Sequence, residues 1–192
     1  MAQSKHEKVI RAVTLLVLLG GGWLYFSGRV DSVIESYQAR SLSLDEAIFV
    51  QIIQDAKHQW KDAPNDMQRM PMRAARDLAL CSLHASVDEW VGTVADVNTY
   101  LFAEDLASFS VTLVPNTTLR TEGDLENLGS KIARGTTLFE AVSKLAPGQK
   151  VIFSGHFIKS DRPCLVETSL TDRGSMTDPG FLFTFTGVKV AG

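Results

Sequence analysis

The chain has 192 residues, which is enough for one ordinary domain and an additional segment. Hydrophobic residues make up 45% of the sequence and charged residues 21%, and these globular values exclude a wholly disordered or collagen-like chain. A formal net charge of −3 argues against a protein whose main task is to bind nucleic-acid phosphates. Two cysteines are too few for a disulfide-rich scaffold or a four-cysteine zinc site.

The first element is an apolar run from Ala12 to Phe26 that contains no charged residue. Extended to residues 9–28, it would span about 30 Å as a helix, which matches the hydrocarbon core of a membrane. Lys5, Lys8 and Arg11 precede or begin the run, whereas acidic residues follow it closely. The positive-inside rule therefore predicts a cytoplasmic tail at 1–8, a transmembrane anchor at 9–28 and the remaining chain across the membrane.

A cleaved signal peptide is an alternative, because the run is also as long as a long signal-peptide core. Cleavage needs small residues at −3 and −1, but a cut after Ser27 places Tyr25 at −3 and a cut after Gly28 places Phe26 there. A buried helix of a soluble protein is the second alternative. We favour the uncleaved anchor, which makes the membrane itself a partner of the chain.

Residues 29–86 are predicted to be a helical segment. Ser43 and Glu46 have the spacing of a capping box, which predicts a helix start. Apolar residues follow at helical spacing, namely Phe49, Ile52, Ile53, Ala56 and Trp60. A break at 63–66 ends this helix of about 17 residues.

A second helix is predicted from Asn65 or Pro71 to about His84. One face carries apolar residues, namely Met70, Ala74, Leu78 and Cys81. We interpret the methionines at 67, 70 and 72 as core filling, with a partner groove as the alternative. The arginines at 69, 73 and 76 are expected to be solvated or paired with Asp66 and Asp77, with a basic binding face as the alternative.

From residue 87 the hydrophobic pattern changes to period two. Strands are predicted at 90–97, 109–114, 118–121, 151–158, 164–170 and 181–190, with a short amphipathic helix at 137–145. Three strands, a helix and further strands follow the order of an OB-fold barrel. The sequence therefore predicts a mainly β fold with a helical N-terminal part: an OB-like small β-barrel at 87–192, preceded by the anchor and the helical segment.

Two motifs carry a family resemblance. Residues 90–94 (WVGTV) open the first strand, and residues 147–157 (PGQKVIFSGHF) enter the fourth, each with a glycine where a small barrel bends its strands. With these motifs the region resembles OB-fold domains of the tRNA-anticodon-binding-like group in bacterial membrane-anchored proteins. The resemblance implies a single-pass protein of the bacterial inner membrane with a periplasmic C-terminal domain, and it says almost nothing about function.

The two cysteines, Cys81 and Cys164, would lie in an oxidising compartment if this topology holds. An exported protein with two cysteines commonly pairs them, so a disulfide between them is predicted, with two buried free thiols as the alternative. Cys81 and His84 also form a lone C-x-x-H, which we interpret as part of the core rather than as metal ligands.

The sequence carries no nucleophile motif, zinc-binding helix motif or phosphate loop. We therefore predict no enzyme activity, no cofactor and no metal. A ligand groove on an OB barrel would use strands two and three, and Phe109, Arg120 and His156 are its candidate residues. Residues 87–192 hold nine Lys and Arg against thirteen Asp and Glu, a net charge of −4 that argues against nucleic acid.

The predicted function is non-catalytic binding of another envelope component by the extracytoplasmic domain, with a protein as the expected partner. The alternative is an OB barrel that binds an oligomeric ligand: a glycan, a peptide or a single-stranded nucleic acid. An aromatic or basic groove across strands two and three would favour the ligand, whereas an apolar patch on the helices or barrel would favour a protein partner.

Overall fold

The structure, a computed structural model, describes residues 43–100, 103–121, 131–161 and 164–192. The predicted tail at 1–8, the anchor at 9–28 and the first part of the predicted helical segment lie outside the described residues and stay predictions. Within the part that is described, none of the helices combines the length and the apolar character needed to cross a membrane.

Two helices come first, α1 (Leu44–Asp62) and α2 (Asp66–Cys81). The remaining elements follow in the order β1 (Ser86–Tyr100), β2 (Ala103–Val114), β3 (Thr117–Arg120), β4 (Ile132–Ala133), α3 (Thr137–Val142), β5 (Lys150–Phe157), α4 (Asp172–Thr177) and β6 (Gly180–Val190). The side chains of Ser43 and Asn65 accept hydrogen bonds from the backbone N–H groups of Glu46 and Gln68, which caps the starts of α1 and α2.

Five strands close on themselves in the order β1, β2, β3, β6, β5 and back to β1. Neighbouring strands are antiparallel except β3 and β6, which run parallel with Leu119 opposite Phe181. This closed, mixed five-stranded barrel is compatible with an OB-like fold. The prediction of a mainly β small barrel preceded by helices is confirmed.

The barrel interior is filled with side chains. In β2, for example, Ala107, Phe109 and Val111 are buried, and the serines between them lie on the outer face. Six phenylalanines meet inside or at the rim of the barrel: Phe109, Phe153, Phe157, Phe181, Phe183 and Phe185. Their ring contacts are mostly edge-to-face, the geometry that aromatic pairs favour.

The helix α1 covers one end of the barrel. The ring centroid of Phe49 lies 5.1 Å from that of Phe157 and 5.4 Å from those of Trp90 and Phe181. The buried carboxylate of Glu46 accepts a hydrogen bond from the Val91 N–H at 3.0 Å. Short α3 packs against β6 and β4, and its Val142 is fully buried in the hydrophobic core.

A β-bulge at the start of β1 directs Trp90 into the core. Register is shifted between Val87 and Trp90, and Glu89 between them has a φ of 52°, which is unusual for a residue with a side chain. The Glu89 N–H donates to the Ser154 hydroxyl, which holds the bulge against β5. Trp90 is only 3% exposed as a result.

The predicted strand at 164–170 does not form. This segment makes only isolated bridges, Lys159 with Leu165 and Glu167 with Phe181. It is attached to α2 by the side chains of Cys164 and Glu167, and these attachments draw it away from a regular ladder. The helix α4, which follows it, was not predicted, because its six residues carry no apolar periodicity.

Candidate functional site

The three residues predicted to line a ligand groove are not brought together. Phe109 points into the barrel, where its ring centroid lies 4.7 Å from that of Phe185, and it is 1% exposed. Arg120 and His156 are exposed on the outer face, opposite Leu182 and Thr184 of β6 respectively. Since β6 lies between β3 and β5, these two side chains flank it rather than face one another.

The outward positions of β2 and β3 carry mostly short polar side chains. Ser108, Ser110 and Thr112 alternate with the buried residues of β2, and Thr118 and Arg120 do so in β3. No aromatic ring lies on the outward positions of these described strand segments. A stacking surface for bases or sugars therefore does not form there.

An apolar surface is instead found on α2. Met67, Met70 and Leu78 are 84%, 77% and 74% exposed, and they share one side of the helix with the exposed residues Pro71 and Ala74. We call these five residues the α2 stripe. It runs along three turns of the helix, about 16 Å, without a charged residue.

This orientation corrects the sequence interpretation of α2. The face expected to fill the core with Met67 and Met70 points outward, and the arginine face points inward. The physical reason is that the inner face meets the Glu167 carboxylate and Ser175, which accept hydrogen bonds from Arg76, while Leu80 on the inner side of α2 joins the hydrophobic core.

Arg76 is the centre of the contact under α2. Its guanidinium donates to the Glu167 carboxylate, to the Ser175 carbonyl at 2.5 Å and to the Ser175 hydroxyl at 3.0 Å. Asp77 on the same helix accepts from the Arg76 Nε at 3.0 Å. We call Arg76, Asp77, Glu167 and Ser175 the Arg76 cluster. Because Arg76 and Glu167 have side chains only 1% and 3% exposed, their pairing compensates for the loss of hydration.

The other two arginines of α2 are also paired. Arg69 pairs with Asp66 at 2.9 Å and donates to the Ala63 carbonyl at 2.9 Å. Arg73 pairs with Asp172 at the start of α4. The predicted pairing of these arginines with acids is therefore observed, but two of the acids, Glu167 and Asp172, lie about a hundred residues away in sequence.

Burial raises the pKa of Glu167 above its ordinary value, although the positive charge of Arg76 and the Ser175 hydrogen bond act in the opposite direction. The carboxylate, the hydroxyl and the guanidinium lie too deep to meet a substrate, since Ser175 and both charged side chains are buried. The cluster is therefore suited to holding α2, α4 and the intervening segment together.

Cys81 and Cys164 are joined by a disulfide, with Cα atoms 5.3 Å apart. The bridge connects the last residue of α2 to the segment that carries Glu167. With Cys81 in the disulfide, the C-x-x-H of Cys81 and His84 has no free thiolate for a metal. Among the described residues, no group of three or more His, Cys, Asp or Glu side chains is arranged to hold a metal ion.

A shallow cavity of about 240 Å³ lies at the α3 end of the barrel. It is lined by Val97, Asn98, Thr99, Ala107, Phe139, Val142 and Ser143. Of its polar side chains, Asn98 donates to Asp96 and Ser143 donates to the Glu140 carbonyl. Because these two side chains are hydrogen-bonded to neighbouring residues, they do not form a set of polar groups directed at a ligand in the cavity.

Sequence reasoning interpreted the methionines of the α2 stripe as core filling and kept a partner groove as the alternative. The apolar and charged faces of α2 were both visible from the spacing of residues 66–81. The sequence did not show that Glu167, an isolated carboxylate in the predicted strand at 164–170, is the buried partner of Arg76.

Comparison with known proteins finds no matching family model, no matching curated protein and no matching solved structure.

Proposed function

We propose that the chain is a non-catalytic, membrane-anchored envelope protein whose extracytoplasmic part binds another envelope component by protein–protein contact. The α2 stripe is the observation that carries this proposal. Soluble monomers rarely leave large apolar side chains contiguous on one surface, and such surfaces commonly mark protein contacts. Met67 and Met70 add flexible, polarisable side chains that adapt to a partner.

The way α2 is mounted supports a contact role. A helix whose apolar face is outward gives up the burial energy that usually holds a helix in place. Here the Arg76 cluster and the disulfide hold it, together with Leu80 in the hydrophobic core. The apolar face is thus presented on a fixed support, as a preorganised contact surface requires.

Two features support the location. The uncharged run from Ala12 to Phe26 is preceded by basic residues, as expected for a bacterial inner-membrane anchor with a cytoplasmic N-terminus. The disulfide between Cys81 and Cys164 suits an oxidising compartment such as the periplasm. A reporter that is active only outside the cytoplasm, fused after Gly192, should be active; a stable but inactive fusion would contradict this topology.

The alternative, an oligomeric ligand on the barrel, has weaker support. Its candidate residues Arg120 and His156 are exposed but separated by β6, and Phe109 is inside the barrel. The short polar side chains on the outer face of β2 and β3 supply neither stacking surfaces nor a basic track.

Site-specific photo-crosslinking in intact cells tests the contact role. A photoreactive amino acid at Leu78 of the full-length chain should give a discrete crosslinked protein band, because this side chain is 74% exposed at the stripe. The matched control is Val190, another exposed aliphatic residue, at the far end of β6. Met70 is a second position for the photoreactive amino acid. Equal crosslinking at Leu78 and Val190, or no crosslink from either Leu78 or Met70, would overturn the proposal.

A further inference from the structure

The disulfide lies at the surface of the folded chain. Cys81, the last residue of α2, is exposed, and Cys164 is half-buried. Ser82 and His84, which follow the helix, are exposed as well. A disulfide is reduced when a thiolate reaches one of its two sulfur atoms. The bridge is therefore open to thiol–disulfide exchange without unfolding of the barrel, and Cys81 is its more accessible side.

The Arg76 cluster lies beside the bridge and joins the same two parts of the chain. Arg76 is five residues before Cys81, about 7.5 Å along α2, and Glu167 is three residues after Cys164. The side chains of Arg76 and Glu167 are only 1% and 3% exposed. Because this ion pair is non-covalent, it remains when the bond between the two sulfur atoms is broken.

Cys164 is also held from the barrel side. The Ser160 N–H donates to the Cys164 carbonyl at 3.1 Å, and the Val166 N–H donates to the Ile158 carbonyl at 2.9 Å. Leu165 is buried in the hydrophobic core. With these contacts the two cysteines stay neighbours after reduction, and thiols held close together re-form their bond in an intramolecular reaction of high effective concentration.

We propose that the Cys81–Cys164 bridge is a reversible redox site that a protein dithiol opens by attack at Cys81, and that the Arg76 cluster keeps the two thiols in place while the bridge is open. The proposal goes beyond the contact function and does not depend on what binds the α2 stripe. The reduced chain keeps its fold, because α2 and the segment 164–178 remain joined by the cluster. The end of α2 is then attached to that segment by non-covalent contacts alone.

The exchange takes place in two steps. First, a thiolate of the dithiol attacks the Sγ of Cys81, the bond to the Sγ of Cys164 breaks, and the electron pair leaves on Cys164, which takes a proton. Second, the other thiolate of the dithiol attacks the mixed disulfide and releases Cys81, which also takes a proton. Two electrons and two protons pass to the chain, and the dithiol leaves as its own disulfide. A monothiol is less effective, because the neighbouring Cys164 expels it from Cys81.

A redox titration of the full-length chain in mild detergent tests reversibility. The chain is equilibrated in buffers of reduced and oxidised glutathione, alkylated, and weighed by mass spectrometry, which gives the equilibrium constant for bridge formation. Oxidised and reduced starting material should give the same curve, with native tryptophan fluorescence throughout. In denaturing urea the constant should fall at least about a hundredfold, because the unfolded chain does not hold the two thiols together.

Variants of α2 test the positioning role of the cluster. Arg76→Met should lower the equilibrium constant for bridge formation at least about tenfold. Arg76→Lys keeps the charge but loses the planar group that reaches both Glu167 and Ser175, so it should lower the constant in the same direction if Arg76→Met does not fold. Arg69→Met is the matched control and should leave the constant unchanged, because Arg69 forms its ion pair at the other end of α2.

The position of attack is found by acid quenching during reduction by glutathione, followed by peptide mapping of the mixed disulfide, which should lie on Cys81. Reversible reduction of a folded chain, weakened by the Arg76 variants and not by Arg69→Met, supports the proposal. Three results overturn it: reduction only together with loss of native fluorescence, an unchanged constant in the Arg76 variants, or glutathione mainly on Cys164. None of these results bears on the crosslink expected from Leu78, so the proposed function is tested separately.

Discussion

The helices α1 and α2 are neighbours of similar length, both capped and both amphipathic, yet they present opposite faces to the barrel. In α1, Phe49 is 0% exposed among the rings of Trp90, Phe157 and Phe181. In α2, Met67 and Leu78 face outward while Arg76 is buried. Hydrophobic contact holds the first helix, whereas buried Leu80, ion pairs and a disulfide together hold the second.

The difference shows that an amphipathic pattern defines two faces but does not choose the inner one. The barrel end offers α1 an aromatic surface, so burial of its apolar face is favourable. The segment 164–178 offers α2 the Glu167 carboxylate, which would keep its hydrogen bond from Ser175 but lose the Arg76 guanidinium if the apolar face turned inward. Such a buried carboxylate costs more than the exposure of three apolar side chains.

Truncation of one residue on each helix should show the contrast most strongly. Phe49→Ala should lower the free energy of unfolding by about 3–5 kcal/mol, because it leaves a cavity among buried rings. Met70→Ala on α2 should change it by less than about 0.5 kcal/mol, because the side chain is exposed. Urea unfolding of the full-length chain in detergent, followed by tryptophan fluorescence, measures both. A similar loss from the two variants would contradict the assignment of faces.

Removal of the disulfide should destabilise the chain by about 4 kcal/mol, because the bridge closes a loop between residues 83 positions apart. Replacement of both Cys81 and Cys164 by serine is the test, and chemical reduction of the natural chain should give a similar loss. A loss below about 1 kcal/mol would mean that the Arg76 cluster alone fixes the segment to α2.

Arg76→Met should cost about 3 kcal/mol, because it leaves the buried carboxylate of Glu167 without its main partner. The value is at the low end for a broken buried pair, since the Ser175 hydroxyl still donates to Glu167 and the carboxylate can take a proton. Arg76→Met combined with Glu167→Leu should recover most of the loss, because apolar side chains can replace a buried ion pair. A double variant as unstable as the single one would show that the pair itself stabilises the fold.

The smallest effect concerns pH. Because burial raises the pKa of Glu167, its carboxyl group binds a proton more tightly in the native state than in the unfolded chain. The contribution of Glu167 to stability is therefore largest in acid and decreases as the pH rises from about 4.5 through the native pKa. The difference in unfolding free energy between the natural chain and Glu167→Gln should decrease over that range. An increase would mean that the charge of Arg76 outweighs burial.

Much of the architecture follows from local pattern. The alternation of apolar and polar residues along 109–114 and 181–190 predicted strands there, and the capping residue Ser43 predicted the start of α1. The prediction of a strand at 164–170 was wrong. Its apolar and β-branched residues are typical of a strand, but Cys164 and Glu167 bind to α2 and the segment forms only isolated bridges. Phe109, a candidate groove residue, lies inside the barrel, because a one-residue change of phase decides whether a strand residue faces in or out.

The sequence by itself determined a mainly β barrel preceded by amphipathic helices, because side-chain periodicity and caps act over a few residues. From the sequence, Cys81 and Cys164 could form a disulfide or remain two buried free thiols. The structure joins them, with Cα atoms 5.3 Å apart. Only the tertiary structure decided which face of α2 is buried, because Glu167, the carboxylate that holds Arg76, lies 91 residues away. The pattern of residues along α2 holds no information about this distant carboxylate, so it cannot show that the side with Arg76 is buried and the apolar stripe exposed.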